Sequence, residues 1–475
     1  MLASEDGGAT WAPAGPNRRV EESIRFARSP GNSQEGYNIS LAVSHANPGT
    51  MALGWRIGPW VGRKTPTAFV WEEHGDDGAT PGARSPHIHA DSHGMVFDPH
   101  DPTGRTFYMC SDGGLVSTTD LFATFGSSIN RLLPNLQFQS YPPRQANGAA
   151  GVSLQTPGLV VGPLQDNGVV FSFQSGGAQR PWQRITVADD GMVAIFMKSD
   201  VILFWNNDNP VARIRKWDGS QFGPEINVTV KAPSPTVPAG STLSNPFAEP
   251  ILHPAFQRPD THQSMFAIGA YDPASGYRDL WGLFADDDGG NPLWDFIATV
   301  GLDPLDSITA AGSDDGRRIL VGSNAGKLYS CDAASGAVSA MRIDSTSTAA
   351  AGPVYQFAFM SDGTAFARHQ GGMLRLQPGQ ASWTDIGANG LPPATKEGSL
   401  YFAAVDAEKQ PNIVYVATDY GVHASWDAGA NWLPVSQGLP ARCHPSTLRF
   451  IVEPDSSRHL YLTTYGRSAW RTRLN

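Results

Sequence analysis

Short strand-type runs such as Ile413-Val414-Tyr415-Val416-Ala417 recur along the whole chain, each closed by a turn. No long stretch repeats apolar residues at three- and four-residue spacing, so the period is that of strands and the fold class is all-β. The first strand of each unit is taken as an apolar run ending in a turn such as Asp98-Pro99, Asp406-Ala407 or Glu453-Pro454. Unit starts then fall near residues 38, 91, 136, 191, 247, 306, 354, 400 and 446. The spacing, about 45 to 59 residues, holds four short strands and their turns, which is one blade of a β-propeller. The expectation is a single propeller domain over residues 1–475 with nine four-stranded antiparallel blades. Eight and seven are the alternative counts, because residues 231–254 are irregular and four to eight blades is the usual range.

A pattern Ser-x-Asp-x-Gly-x-x-Trp occurs twice, at Ser4-Glu5-Asp6-Gly7-Gly8-Ala9-Thr10-Trp11 and at Ser425-Trp426-Asp427-Ala428-Gly429-Ala430-Asn431-Trp432. Each position has a physical task. The Ser and Asp side chains bond to the turn backbone, Gly supplies a positive φ, and Trp covers the apolar face as the next strand begins. Degenerate versions stand at Thr118-Thr119-Asp120 with Phe125 and at Asp286-Asp287-Asp288-Gly289-Gly290 with Trp294. The last unit offers three strands, 448–453, 459–464 and 468–474, and residues 9–15 are expected to complete it as the outer strand that closes the ring.

Composition supports this picture and removes several functions. Gly (51) and Pro (37) are abundant, as many tight turns require, and only 16% of residues are charged. The formal net charge is -10 with no basic stripe, which excludes nucleic acid as a partner. Cys110, Cys331 and Cys443 are odd in number and far apart, so they form no disulfide framework or paired metal motif and are expected as small buried apolar groups. No segment reaches the length of an apolar membrane span and no leader opens the chain; as written the protein is a cytoplasmic monomer.

The Asp-containing turn, His89-Ala90-Asp91-Ser92-His93 leading into Phe97-Asp98-Pro99, Ser111-Asp112-Gly113-Gly114, Gln165-Asp166-Asn167-Gly168 and Thr464-Tyr465-Gly466-Arg467 resemble the BNR, or Asp-box, repeat propellers. That group is labelled glycosyl hydrolase-like, sialidase-like or sortilin-type. The resemblance implies a propeller over most of the chain and favours a secreted protein. For function it implies only a range that includes glycosidases, polysaccharide lyases, lectins, assembly factors and peptide receptors.

Successive turns of a meander lie on opposite ends of its sheet, so the turns between second and third strands should gather on one rim. They carry Asp112, Gln165, Asp166, Asn167, Asp419, Tyr420, Tyr465 and Arg467. His87, His89, Asp91 and His93 fall on one face of an extended link into the second unit. That set reads as a hydrogen-bonded plug, as acid–base and substrate-binding groups, or as ligands of a divalent metal; no other cofactor is expected. Asp91, His93, Asp112, Asp166 and Asp190 are the catalytic candidates, and the remaining rim residues are substrate-binding candidates. Asp189, Glu72 and Glu73 complete the carboxylates near the rim. A glycosidase needs two facing carboxyls at about 5–5.5 Å or about 6.5–9.5 Å. The reading is a glycoside hydrolase or polysaccharide lyase with one central site and a carbohydrate partner. A non-catalytic glycan- or protein-binding scaffold is the alternative, and a sialidase, from Trp55-Arg56-Ile57-Gly58 with Tyr465 and Arg467, a further one. Trp55, Trp60, Trp71, Trp205, Trp217 and Trp281 are expected to wedge between sheets rather than to stack on sugars.

Overall fold

The computed structural model describes residues 2–3, 9–10, 12–13, 40–54, 59–66, 69–74, 92–111, 114–121, 151–152, 156, 158–164, 168–180, 182–186, 192–196, 200–205, 211–233, 237–243, 253–257, 264–272, 276–284, 293–303, 305–313, 317–343, 352–360, 362–369, 372–386, 390–392, 402–406, 413–439, 445–452, 455–464 and 469–474. Among them every regular element is a strand. The chain falls into two compact units, Met1–Leu136 and Gln137–Asn475.

In the first unit, Ser40–Val43, Thr50–Gly54, Pro59–Lys64 and Phe69–Glu73 form an antiparallel meander. Ser92–Phe97, Phe107–Ser111 and Gly114–Thr118 form a second. Because side chains alternate across a strand, each sheet has two faces to cover. Ala52 and Val61 of the first sheet pack on Phe97, Phe107, Met109 and Leu121 of the second. The opposite face of the first sheet holds Met51, Leu53, Trp60 and Trp71. Leu2–Ala3 pairs with Ala12–Pro13 (Leu2↔Pro13, Ala3↔Ala12); that is the pairing described for the strand expected to close the ring.

In the second unit, antiparallel strand sets begin at Gly151, Met192, His253, Ile308, Val354, Phe402 and Pro445. Ser40 and Ser92 begin the two sets of the first unit; the expected start near 136 lies outside the described residues. Val414 and Val416 share one cluster with Phe366 and Met373 of the preceding sheet and with Trp432 of their own third-to-fourth turn. Tyr415, Ala417, Val422 and Ala424, on the other face of the same sheet, share a second with Leu448, Leu460 and Leu462. Successive sheets therefore stack face to face. Two seams are also sewn by parallel pairing. Val338–Ile343 runs beside Ser382–Asp385 (Arg342↔Ser382, Ile343↔Trp383). Val230–Ala232 runs beside Leu293–Thr299. The sheet Pro445–Val452, Arg458–Thr464, Ala469–Leu474 has three described strands.

The expected wedging holds for Trp281, buried against Val201, Leu203 and Ile214 of the preceding sheet, and for Trp217, part-buried against Phe171 and Phe173; Trp60 and Trp71 are buried on a face of their own sheet. Trp55 lies outside the described residues, as does Cys443. Cys331 is buried and its thiol is pushed up to about 11 by that burial. Cys110 corrects the expectation: it is exposed, because Phe107 and Met109 take the buried face of that sheet and Cys110 falls on the other.

The turn at Ser425–Trp432 joins the third strand of its sheet, Gly421–Ser425, to the short fourth, Leu433–Pro434. Ser425 Oγ donates to Asp427 Oδ1 at 2.8 Å and accepts the Gly429 N–H at 2.8 Å. Asp427 accepts the Asn431 backbone N–H at 2.9 Å and its side-chain amide at 2.8 Å. Ala428 and Gly429 have φ of 57° and 85°, and Trp432 is buried. The degenerate copy repeats the opening of this turn: Thr118 Oγ1 donates to Asp120 Oδ1 at 3.0 Å, and Leu121 has φ 58°.

A Cβ on Gly429 would stand 2.5 Å from Ile386 Cδ1, in addition to the strain of a positive φ. Gly379, in the matching turn of the preceding sheet, has φ 76° and nothing within 4 Å. Gly379→Ala should therefore cost about 1 kcal/mol, and Gly429→Ala about 3 kcal/mol because the clash is added. Urea midpoints of the two variants check this; equal losses would mean that the turn does not seat on Ile386.

Candidate functional site

Each meander has two ends with different chemistry. One end carries the first-to-second and third-to-fourth turns, and there the carboxylates serve the turns themselves. Asp101 accepts four hydrogen bonds, from the N–H and Oγ1 of Thr103 and the N–H groups of Arg105 and Thr106. Those from Thr103 hold its carboxyl far below the usual range. Asp218 accepts from Ser220 and Gln221, Asp332 from Ala334 and Ser335, and Asp455 from Ser457. All three carboxyls are lowered by these bonds, as is Asp427, chiefly by Asn431. A carboxylate saturated in this way is a poor proton donor and a poor ligand.

The other end carries the second-to-third turns and the links between sheets. The registers Ser92↔Ser111↔Gly114, Val354↔His369↔Gly372 and Thr418↔Gly421 bring first-strand starts and second-to-third turns together at that end of their own sheets. By chain position Asp112 falls between Phe107–Ser111 and Gly114–Thr118, and Gln165, Asp166 and Asn167 between Val160–Leu164 and Gly168–Ser172. Tyr465 and Arg467 fall between Arg458–Thr464 and Ala469–Leu474, and Asp190 just before Met192–Phe196. These seven, with His87, His89, Asp91 and Asp189, lie outside the described residues. His93, Asp419 and Tyr420 are described.

Tyr420 stands at the tip of its turn, 53% exposed, beside the half-buried Asp419. The buried Thr418 hydroxyl accepts the Tyr420 N–H and donates to the Gly421 carbonyl, both at 3.1 Å. Ser436 Oγ clamps Val422 from the other side, accepting its N–H at 2.8 Å and donating to its carbonyl at 2.9 Å. Gly421 has φ 114°, and a Cβ there would collide with Ser436 Oγ. The aromatic tip is thus exposed but held on a rigid turn.

His93 is exposed and sits where the register shifts between Ser92 and Gly94, so it is the extra residue of a β-bulge. The same shift recurs at the second residue of three more first strands, at Thr309, Tyr355 and Ser446. Such bulges re-aim side chains and are enriched beside functional sites. Thr309 Oγ1 donates to the Val354 carbonyl at 2.6 Å, tying two sheets. Tyr355 lies under the buried Arg368 guanidinium, 4.2 Å from ring to Cζ, next to the buried His369. This set was missed by sequence reading, which favoured Asp-Gly and Asn-Gly tips. The signal was present in His369-Gln370-Gly371-Gly372, a polar run ending in two glycines at the same distance from an apolar strand.

Asp303 and Asp306, in the link before Ile308–Gly312, both bind Lys327 Nζ of the next second-to-third turn and raise its pKa. Among the described residues no group of three or more His, Cys, Asp or Glu is placed to hold a metal ion. No described helix is long and apolar enough to cross a membrane.

Comparison with solved structures gives a likeness to the GH74 enzyme of Niastella koreensis, with a TM-score of 0.51 at 12% identity over 97% of this chain; the chain spans 61% of that one. YCF48 bound to a D1 peptide is also similar, with a TM-score of 0.44 at 14% identity over 72% of this chain and 98% of that one. The WD40 repeats of RRP9 give 0.45 at 9% identity over 69% and 89%. No protein-family model and no curated protein matches the chain. The first likeness shows the fold, a β-propeller.

Burial pushes the pKa of His369 and His423 down. A lowered histidine favours the neutral form in the folded state. The stability it supports is therefore complete above about pH 6.5, the unfolded value, and is lost as pH falls towards the folded one. The turn carboxylates lose theirs only below about pH 4. The denaturation midpoint should fall between pH 7 and pH 5, and less steeply in His423→Gln. A midpoint constant over that interval would contradict the assignment.

Proposed function

We propose that the strand sets are nine blades and that the protein is a glycan-binding propeller acting through the second-to-third turn end of its blades. One observation carries this reading: an exposed Tyr420 fixed by Thr418 and Ser436 next to Asp419. An aromatic face held in place stacks on the C–H face of a sugar at little entropic cost, and an adjacent carboxylate accepts its hydroxyls. The opposite end of the blades supports the choice, since its carboxylates are consumed by their own turns. In the second unit Gln165, Asp166, Asn167, Asp190, Tyr465 and Arg467 are proposed to share this role. In the first, His87, His89, Asp91, His93 and Asp112 form a candidate polar set of their own.

Cleavage of the glycan is the competing reading, with Asp91, Asp112, Asp166 and Asp190 as its carboxylates, and it is decided by the same measurement. The protein is titrated with a panel of soluble polysaccharides and oligosaccharides while binding and new reducing ends are both followed. Binding without release is expected. Tyr420→Ala should weaken it about tenfold, the loss of roughly 1.4 kcal/mol of stacking, with the melting temperature unchanged because the ring is exposed. Release of reducing ends that Asp166→Asn or Asp190→Asn abolishes would replace binding by hydrolysis, and a panel with no ligand at all would reject both.

A further inference from the structure

The seam between the 402–434 sheet and the last sheet is not completely filled. Leu448, Leu462 and Trp470 are cross-strand partners, as are Leu460 and Thr472, so all five stand on one face of the last sheet. Val422 and Ala424 pack on the leucines from the other side. Within that contact lies a cavity of about 250 Å³, walled by Val422, Leu439, Leu448, Leu460, Leu462 and Trp470. Protein interiors hold few voids larger than a water molecule, so side-chain packing alone does not account for a space of this size.

These walls are apolar, and the open side is polar. The lining residues Gln437, Gly438 and Thr472 are exposed, and Val435 beside them is 40% exposed. Gly438 has φ 89° and a Cβ there would meet nothing within 4 Å, so the chain leaves this side open. Arg471 also borders the cavity, but its guanidinium bonds His459 on the opposite face of the sheet, so a neutral guest fits better than an anion. The cavity adjoins the Tyr420 turn as well. Val422, one of its walls, is the residue whose N–H and carbonyl are held by Ser436 Oγ.

We infer that this cavity binds a small neutral hydroxy-aromatic molecule, of the phenol or naphthol class, with its ring inside and its hydroxyl at the open side. An apolar cavity of about 150 Å³ is enough to take benzene, so this one has room for a single ring or a fused pair. Trp470 favours a ring over an aliphatic guest of the same size, because paired aromatic rings gain more than the area they bury. The Gln437 amide and the Thr472 hydroxyl can each donate to or accept from the guest's hydroxyl. A ring seated there packs on Val422 and so buttresses the turn that presents Tyr420. The inference does not rest on the glycan reading.

The test is calorimetric titration of the full chain with phenol, 2-naphthol and cyclohexanol, with hydrogen exchange by mass spectrometry to locate the site. The naphthol should bind roughly tenfold more tightly than phenol, because it buries a further ring, and cyclohexanol more weakly than phenol. Saturating naphthol should slow the amides of 421–425 and 460–464 about threefold and leave the other sheets unchanged. Val435→Trp, which sets a ring into the open side from an exposed position, should keep the melting temperature and abolish binding. Thr472→Val, also at an exposed position, should weaken phenol about threefold through the lost hydroxyl contact. Cyclohexanol binding as tightly as phenol would leave an unselective apolar space. Protection confined to other sheets, or affinity untouched by both substitutions, would put the aromatic elsewhere, and no binding by any of the three would remove the site; each overturns the inference.

Discussion

A four-stranded sheet with apolar side chains on both faces cannot bury itself, and this constraint organises the whole molecule. In the 402–434 sheet, Val414 and Val416 need one neighbour and Tyr415, Val422 and Ala424 need another. That sheet is therefore a layer between two others, and its stability is shared across its seams. Burying an aliphatic side chain contributes about 1.5–3 kcal/mol, so the two clusters around this sheet outweigh what its short edge strand can add by hydrogen bonding. The parallel stitches at Arg342↔Ser382 and Val230↔Trp294 strengthen seams that packing has already made.

Stacking also decides which parts of the sequence are free to vary. Faces are committed to neighbours and edges to ladders, so only the two ends of each sheet and the outermost strand remain. The bulges at His93, Thr309 and Tyr355 sit at one of those ends, at the second residue of a first strand. A bulge rotates the side chains before it relative to those after it. The first strand can thus keep its apolar pattern inside the stack while turning its opening residues to another use: a tie at Thr309, a cation–π pair at Tyr355, exposure at His93.

Much of this was legible in the chain. Strand period and the Ser425–Trp432 turn follow from local rules, since Asp, Ser and Gly act through bonds to residues at most four positions away. The expected third start, near 136, lies outside the described residues, and the first described strand of that set is Gly151–Val152. Bulges and parallel seams were invisible for a physical reason: they are set by how two strands register in space, and no residue type signals them. Cys110 shows the same limit, for the strand was recognised but the choice of buried face depended on a neighbour. Of the candidate site, the placement at second-to-third turns was readable from topology, whereas the rigidity of Tyr420 depends on Ser436, sixteen residues away in sequence and contributed by the following link.

The carboxylates at one end of the described sheets are unfit for acid–base chemistry or ligation. Asp101, Asp218, Asp332, Asp427 and Asp455 all lie at first-to-second or third-to-fourth turns, and each accepts hydrogen bonds from the residues just after it. Their lowered pKa values express how strongly the folded turns prefer the ionised form. Protonating or ligating any of them would undo a turn. At the opposite end Asp303 and Asp306 neutralise Lys327, and Asp419 lies beside an exposed aromatic ring. The two described ends thus differ: one commits its carboxylates to its own turns, and the other holds an exposed aromatic ring on a fixed turn.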